Sequence, residues 1–418
     1  MMRSMYSGVS GLRVHQSKMD VIGNNIANVN TVGFKGSKVT FQEVFSQTIK
    51  GAGSPQEGRG GTNPQQIGLG VDVASITVYH TKGSTQRTDR PTDLMIDGNG
   101  YFILTNDVNA QNRYYTRAGN FSIDKFGYLV APNGYKVLDN NMRPIQINKS
   151  ETKAATKTSK IQIEGNINSG DNKYTTTVDI YDSLGDVHTL NIEFGTNTPD
   201  GANSYREFVI KDESGTPLFG GPSDPKYLKF DSSGNFVDIV DDVGSSTSAD
   251  GSFTITIPGT DDISLTIDKS VFTQDTGESL LTQYSNTSDA KGVAMNGNTA
   301  GTINDFTISA NGEVVGIFTN GERKVLSRIG LADFDNPSGL LKVGGNLFID
   351  TPNSGIPKFG TPSEGSFGDL NPGALEMSNV DLSQEFTDMI TTQRGFQANS
   401  RIITTTDEML QELVNLKR

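Results

Sequence analysis

The chain has 418 residues, and its 35 Lys and Arg against 48 Asp and Glu give a net charge of −13, which disfavours binding to nucleic acid or to an anionic membrane. It has no cysteine and only three histidines, so the usual ligands of zinc and haem sites are missing and we expect no metal and no cofactor. No apolar run reaches the roughly 18 to 20 residues that span a bilayer, so no membrane insertion is expected.

The N-terminal segment has the three/four apolar spacing of an amphipathic helix, interrupted at Gln16 and Gly23. Residues 1–30 lack the apolar core of roughly 7 to 15 residues that a cleaved signal peptide contains. We therefore predict a helix with one apolar seam, in a protein that stays in the cytosol or leaves the cell by another route. The seam consists of Met5, Val9, Leu12, Met19 and Ile26.

Residues 51–70 are rich in glycine and also contain Pro55 and Pro64. Such a composition resists regular structure. It predicts a linker or an extended arm.

From Val71 onward the apolar period becomes two, which is typical of β-strands. Asn-Gly and Asp-Gly pairs between these segments supply residues that tolerate a positive φ in tight hairpins. We predict an all-β middle of the chain. The strand segments are 71–78, 101–104, 177–182, 188–194, 254–257, 263–267 and 314–318, and the turn glycines are Gly98, Gly100, Gly134, Gly312 and Gly321.

Two polar runs, 149–160 and 284–302, divide the β region and bracket an inserted domain. The fold class is therefore a mainly β, multi-domain body with coiled-coil-like α-helical termini and a nested insertion. The predicted domains are a terminal helical core of 1–50 with 372–418, the linker arm of 51–70, an inner β domain of 71–153 with 287–371, and an outer inserted β domain of 154–286.

The C-terminal segment has a second amphipathic stripe, broken at Gln393, Ser400 and Asp407. Isolated amphipathic helices are marginal in water, so two such ends favour pairing as an antiparallel hairpin. Two helices bury only one seam between them, which leaves apolar residues for neighbouring copies and predicts a polymerising subunit. The C-terminal seam consists of Leu382, Phe386, Met389, Phe396, Ile403, Leu410 and Val414.

No catalytic group stands out in the sequence. The run 98–100 resembles a nucleotide loop only superficially, because a strand and not a helix follows it. His188 has no candidate nucleophile near it in sequence, and Arg394 is explained equally well by anion binding or by a helix salt bridge. We predict no catalytic site and a protein that is not an enzyme.

Residues 24–35, with Asn24, Asn25, Ala27, Asn28, Asn30, Thr31, Gly33 and Phe34, resemble the signature of bacterial flagellar rod, hook and hook-associated proteins. Residues 378–382, 393–400 and 413–418 resemble the closing helix of the same family. Further similarity lies in 61–71, 93–102 and 115–121. The segments 178–185 and 331–340 resemble hook-protein sequence, and the chain is longer than a typical rod subunit. Both features favour a hook protein over the distal rod protein.

The resemblance implies a homopolymer that forms the curved hook tube and transmits motor torque from rod to filament as a universal joint. It implies a location in the hook and basal body, outside the cell, after passage through the flagellar type III export apparatus without a cleaved signal. The implied partners are the distal rod protein, the hook cap and the hook–filament junction proteins. A distal rod subunit with an enlarged β insertion, and a secreted β-rich adhesin, remain as alternatives.

Overall fold

Two helices at the chain ends enclose a β-rich sequence. The computed structural model describes residues 2–55, 58, 60–107, 110–244, 251–255, 263–274 and 278–416. Helix α1 spans Met2–Ala27 and helix α2 spans Leu382–Asn415. Between them, the described residues contain only two three-residue 3₁₀ turns, Lys269–Val271 and Pro337–Gly339. The predicted fold class is confirmed.

The chain divides into two compact units. The first contains Met1–Asn148, Phe306–Gly316 and Lys324–Arg418, and the second contains Lys149–Asp305 and Ile317–Arg323. The second unit is an insertion, as the polar runs indicate. The finer separation of the helical core from the inner β domain, and the limits 154 and 286 of the outer domain, stay predictions.

The first unit is built on a nine-stranded sheet with the order β28-β29-β8-β7-β11-β10-β9, in which β27 joins β7 to β30. Four two-stranded ladders accompany it, β1–β4, β2–β3, β5–β32 and β6–β31. Up to the insertion its strands are β1 Ser37–Glu43, β2 Ser46–Lys50, β3 Gln65–Gly68, β4 Val71–Val78, β5 Thr85–Arg87, β6 Leu94–Asp97, β7 Tyr101–Thr105, β8 Arg113–Thr116, β9 Ser122–Ile123, β10 Leu129–Val130 and β11 Lys136–Val137.

The second unit contains a six-stranded antiparallel sheet, β14-β15-β16-β18-β19 with β17 paired to β16, and a three-stranded sheet, β22-β13-β23. Strands β20 and β21 form a separate ladder. The strands are β12 Thr152–Lys153, β13 Ile161–Asn166, β14 Tyr174–Tyr181, β15 Val187–Asp200, β16 Asn203–Lys211, β17 Pro217–Phe219, β18 Lys226–Phe230, β19 Phe236–Val240, β20 Gly251–Ile255, β21 Ile263–Ile267, β22 Leu281–Thr282 and β23 Lys291–Ala294.

The limits between the two units fall inside strands β24, β25 and β26, which follow β23 in the chain. The strands after β26 belong to the first unit. These last strands are β24 Gly301–Ile308, β25 Glu313–Phe318, β26 Arg323–Arg328, β27 Leu331–Asp333, β28 Leu341–Gly344, β29 Leu347–Ile349, β30 Lys358–Gly360, β31 Asp369–Pro372 and β32 Ala374–Glu376.

Most strand predictions are confirmed by the structure. The exception is part of 254–257, because residues 256 and 257 lie outside the described residues. The turn glycines have the positive φ that the Asn-Gly and Asp-Gly pairs indicate, for example 82° at Gly134 and 80° at Gly312. Positive φ is accessible to glycine without steric cost, so Gly134, Gly312 and Gly321 fit the hairpin turns of β10–β11, β24–β25 and β25–β26. Gly98 and Gly100 are not in a hairpin, because β6 pairs with β31 and β7 pairs with β8, β11 and β27.

Strand β7 lies at the centre of the first unit because both of its faces are buried. Phe102 and Leu104 belong to one apolar cluster, and Tyr101 and Ile103 to another. Successive side chains of a strand point to opposite faces, so one short strand contributes to both cores. The second unit has a single core that includes Phe208, whose ring centroid lies 5.4 Å from that of Phe272.

The glycine-rich arm is more ordered than its composition predicts. Strand β2 pairs antiparallel with β3, and Gly53 forms a bridge with Thr62. Residues 46–50 and 65–68 are thus the two strands of a hairpin, and the prediction that the composition of the arm resists regular structure is wrong for 65–68. The apolar side chains of Phe45 and Ile49 are exposed on this hairpin.

A buried ion pair joins the two ends of the chain to the β body. Lys35 Nζ lies 2.7 Å from Glu376 Oε1, and neither side chain is exposed to solvent. The same ammonium donates to the Thr81 carbonyl, the Gly83 amide donates to Glu376 Oε1, and Arg117 Nη1 lies 3.6 Å from Glu376 Oε2. Burial lowers the pKa of Lys35, while Glu376 opposes that shift.

His80 lies beside this ion pair, with Nδ1 2.6 Å from the Tyr101 hydroxyl. Burial, together with the positive charges of Lys35, Arg117 and Lys342, lowers its pKa to about 4. The imidazole is therefore neutral in the folded protein at neutral pH.

We expect Glu376→Gln to lower the free energy of unfolding by about 3 to 5 kcal/mol, because it leaves the Lys35 ammonium buried without a counter-charge. Urea unfolding followed by circular dichroism measures the change. The control is Asp89→Asn, which breaks the well exposed Arg87–Asp89 pair and is expected to change little. Equal urea midpoints for the two variants would show that the Lys35–Glu376 pair stabilises the fold no more than the exposed Arg87–Asp89 pair does.

Stability should fall as the pH is lowered from about 6.5 to about 4. In that range the unfolded chain protonates His80 while the folded chain does not, so protons favour the unfolded state. The His80 contribution is at most about 3 kcal/mol over the whole range. Melting temperatures at pH 7 and pH 5 measure it, and His80→Gln should reduce the difference between them. An unchanged difference in that variant would show that His80 is not responsible.

Candidate assembly interface

The two terminal helices pack against each other as an antiparallel hairpin, and small residues bring them together. A Cβ atom on Gly11 would lie 2.6 Å from Asn399 Nδ2, and one on Gly395 would lie 2.7 Å from His15 Cε1. Both distances are shorter than real contacts, so a larger residue at either position would require the Asn399 or His15 side chain to move. The predicted pairing of the chain ends is seen in the structure.

The residues buried in this hairpin are mostly small or polar. Thr392 and Thr406 donate their hydroxyl protons to the carbonyls of Asp388 and Ile402, each at 2.6 Å, so their polar atoms are satisfied within the helix. The buried positions are Gly8, Gly11, Val14, Ile22 and Asn25 in α1 and Thr392 and Thr406 in α2.

Polar contacts fix the base of the hairpin, where the chain enters the β body. Asp381 caps α2 by accepting a 2.8 Å hydrogen bond from the Ser383 amide. Asn25 Nδ2 donates to Glu385 Oε1 at 2.9 Å, and Lys18 Nζ lies 3.7 Å from Asp388 Oδ1. Burial raises the pKa of Glu385, and the hydrogen bond from Asn25 opposes this shift.

The predicted N-terminal seam lies beside the buried line of α1 and not on it. Met5, Val9, Leu12, Met19 and Ile26 are each half-buried. They are partly covered by the rest of the chain and partly open to a neighbour. Their role in assembly stays a prediction.

The predicted C-terminal seam likewise does not coincide with the buried residues of α2, Thr392 and Thr406. Leu382, Phe386 and Val414 are exposed, and Met389, Phe396, Ile403 and Leu410 are half-buried. Ile403 also faces Gly8 within the hairpin, since a Cβ on that glycine would lie 3.4 Å from Ile403 Cγ1. The exposed seam residues are therefore the better candidates for contacts between copies, because they are not needed for contacts within the hairpin.

Further large apolar side chains on the hairpin are exposed, and they are not members of the single apolar stripe predicted for each helix. Ile390 is 52% exposed and Leu413 48% exposed. The residues in question are Met2, Tyr6, Ile390, Ile402, Met409 and Leu413. Large apolar groups exposed together on a helical surface are typical of interaction sites.

The residues of the family motif end α1 and turn the chain onto the β body. Asn28 Nδ2 donates to Asn24 Oδ1, and Thr31 Oγ1 donates to Asn28 Oδ1, both at 3.1 Å. Gly33 has a φ of 67°, and a Cβ there would lie 2.5 Å from the Ala118 amide nitrogen.

The remaining motif residues lie at the same junction but differ in burial. Asn25 is buried, Phe34 lies in the apolar core with Lys342 Nζ 4.8 Å from its ring centroid, and Ala27 and Asn30 are exposed. The motif thus supports the local fold of this junction.

Residues considered for chemistry are dispersed. Gly98 and Gly100 lie in the turn between β6 and β7, His188 Nε2 is 3.7 Å from Asp182 Oδ2, and Arg394 is exposed on α2. The described part of the chain has no group of three or more His, Asp or Glu placed to hold a metal ion. Nor is any described helix long and apolar enough to cross a bilayer.

Family models match four parts of the chain. "Flagella basal body rod protein" matches residues 5–35 and "Flagellar basal body rod FlgEFG protein C-terminal" matches 371–416, which are the two ends of the hairpin. "Flagellar hook protein FlgE/F/G D1 domain" matches 95–169, and "Flagellar basal body protein FlaE D2 domain" matches 140–298, most of which lies in the second unit.

Full-length relatives agree with these matches. The chain is 38% identical to the flagellar hook protein FlgE of Borreliella burgdorferi and 36% identical to that of Treponema pallidum, with 100% of both chains covered in each comparison. It is 35% identical to the flagellar basal-body rod protein FlgG of Bacillus subtilis, again over 100% of both chains. The chain belongs to the family of flagellar hook and basal-body rod proteins.

Proposed function

We propose that the chain is the structural subunit of the bacterial flagellar hook and assembles with copies of itself into a curved tube. The observation that carries this is the terminal hairpin, whose buried residues are mostly small or polar and which leaves several large apolar side chains exposed. The relatives named hook protein cover the chain from end to end, and the distal rod and adhesin alternatives are not favoured.

The separate units support a joint that bends under load. Interlocked helices resist twisting, whereas discontinuous β domains with polar surfaces can slide against those of neighbouring copies. The terminal helices would form the inner core of the tube and the β domains its outer layers. Torque would then pass from rod to filament through the helical core while the outer domains accommodate the curvature.

Assembly also requires partners at both ends of the tube. The distal rod protein, the hook cap and the hook–filament junction proteins are the proposed neighbours. The type III export apparatus would deliver the subunit outside the cell. We expect no catalytic activity, because the role needs only surfaces that bind copies of the same chain.

The double variant Phe386→Asp, Val414→Asp should abolish tube formation. Both side chains are exposed in the single chain, at 51% and 66%, so the fold of the monomer does not depend on them. In the tube, each aspartate would be desolvated at an apolar contact, at a cost of several kcal/mol. Sedimentation and electron microscopy of purified subunits measure assembly, and circular dichroism measures the fold.

The matched control is Gln393→Asp with Gln397→Asp, which adds the same charge at exposed polar positions of the same helix. It should form tubes at close to the wild-type yield. Normal hooks from the Phe386→Asp, Val414→Asp chain would exclude this face as the assembly core and, with it, the proposed role of the hairpin.

A further inference from the structure

Lys153, Asn298 and Glu322 meet at one point of the second unit. Glu322 lies in the turn between β25 and β26, and its two carboxylate oxygens contact different partners. Lys153 Nζ, from β12, contacts Oε2, and Asn298 Nδ2, from the segment before β24, donates to Oε1 at 2.6 Å. The carboxylate therefore holds an amine and a carboxamide side by side.

The backbone around this cluster fixes the carboxamide. The Thr156 amide donates to Asn298 Oδ1 at 3.2 Å, and Thr156 and Asn298 also form an isolated antiparallel bridge through their backbones. The turn that carries Glu322 is held as well, because Asn320 Oδ1 accepts a 3.1 Å hydrogen bond from the Glu322 amide. Asn298 thus has a fixed orientation, with Oδ1 at a backbone N–H and Nδ2 at a carboxylate.

These residue types in this arrangement supply the parts of an aminolysis reaction. A lysine amine is a nucleophile once it has lost its proton, and a carboxylate in contact with it can accept that proton. A backbone N–H at a carbonyl oxygen stabilises the negative charge that develops there during attack. An ordinary ion pair would need only Lys153 and Glu322. The carboxamide on the second oxygen of the same carboxylate is the feature that an ion pair does not require.

We propose that Lys153 Nζ and Asn298 Cγ become joined by a covalent amide bond, an isopeptide cross-link within one chain, with Glu322 as the proton carrier. The substrate is the carboxamide of the same molecule, and the reaction needs no cofactor and no oxidant. Groups held in contact by a fold react far faster than the same groups free in solution. The cross-link goes beyond the proposed function and does not depend on it.

The reaction exchanges one amide for another and releases ammonia. Glu322 accepts a proton from the Lys153 ammonium, the Nζ lone pair forms a bond to Asn298 Cγ, and the carbonyl π electrons move to Oδ1, where the Thr156 N–H stabilises them. Glu322 then gives its proton to Nδ2 and takes the second proton from Nζ. The carbonyl re-forms, the Cγ–Nδ2 bond breaks with its electron pair on nitrogen, and ammonia leaves and takes the proton from Glu322. The products are a neutral amide and an ammonium ion.

The cross-link would close the second unit at its base. Lys153 lies near the beginning of the long segment of that unit, Lys149–Asp305, and Asn298 lies near its end. The whole six-stranded sheet lies between them in the chain. A covalent bond across so long a loop restricts the unfolded chain, so the two ends of the insertion could no longer be pulled apart under load.

Mass spectrometry of the purified full-length chain, intact and after trypsin digestion, tests the proposal. The wild-type chain should be lighter than its sequence mass by one ammonia molecule. Trypsin does not cleave at an acylated lysine, so the digest should contain one branched peptide that joins the segment of Lys153 to that of Asn298.

Two variants should keep the full sequence mass in these peptides. Lys153→Arg retains a positive charge beside Glu322 but is not a nucleophile, and Glu322→Gln removes the proton carrier. Circular dichroism should show the wild-type fold for both. The matched control is Lys291→Arg, at a more exposed Lys–Glu pair of the same unit, which should still lose ammonia and give the branched peptide.

Three results would overturn the proposal. Unmodified peptides from the wild-type chain after prolonged incubation would leave Lys153 and Glu322 as an ordinary ion pair. Conversion of Asn298 to aspartate would show that water, and not Lys153, attacks Cγ. A loss of ammonia that maps to an Asn-Gly turn such as 133–134 would be a succinimide and not a cross-link. The proposed function stands in each case, because it rests on the terminal hairpin.

Discussion

The close contact between α1 and α2 is the constraint on which the rest of the molecule depends. A Cβ on Gly11 or Gly395 would overlap a side chain of the other helix, and the buried residues of the two helices are small or polar apart from Val14 and Ile22. Close approach through small residues is a general way of packing helices when bulky groups are needed elsewhere. Here it leaves the large apolar residues on the outside of the hairpin, where a copy of the same chain can cover them.

The periodic features of the sequence predicted the fold well. Both helices, most strand segments and the hairpin turns follow from local patterns, because amphipathic periods of 3.6 and 2 and Asn-Gly pairs act over short distances in the chain. The two-unit division also follows from composition. The order of the strands in the nine-stranded sheet does not, since neighbours such as β8 and β29 are far apart in sequence.

The site was predicted only in outline. The apolar stripes indicated that the helices pair and carry assembly contacts, but they include none of the residues that are buried in the hairpin. Glycines such as Gly8 and Gly11 give no signal in such a pattern, because an apolar period depends on apolar side chains and not on closeness of approach. The antiparallel pairing of β2 with β3 was not predicted, because these strands lie on either side of a segment rich in glycine and proline.

The buried pair of Lys35 and Glu376 was beyond local reasoning, because its members are 341 residues apart in the chain. That separation affects the order of events during synthesis. While the ribosome is still making the middle of the protein, Lys35 has no counter-ion, and β5 and β6 lack the partner strands β32 and β31. The first unit can therefore close only after β31 and β32 have been translated, whereas the second unit, which ends at Arg323, does not depend on those strands.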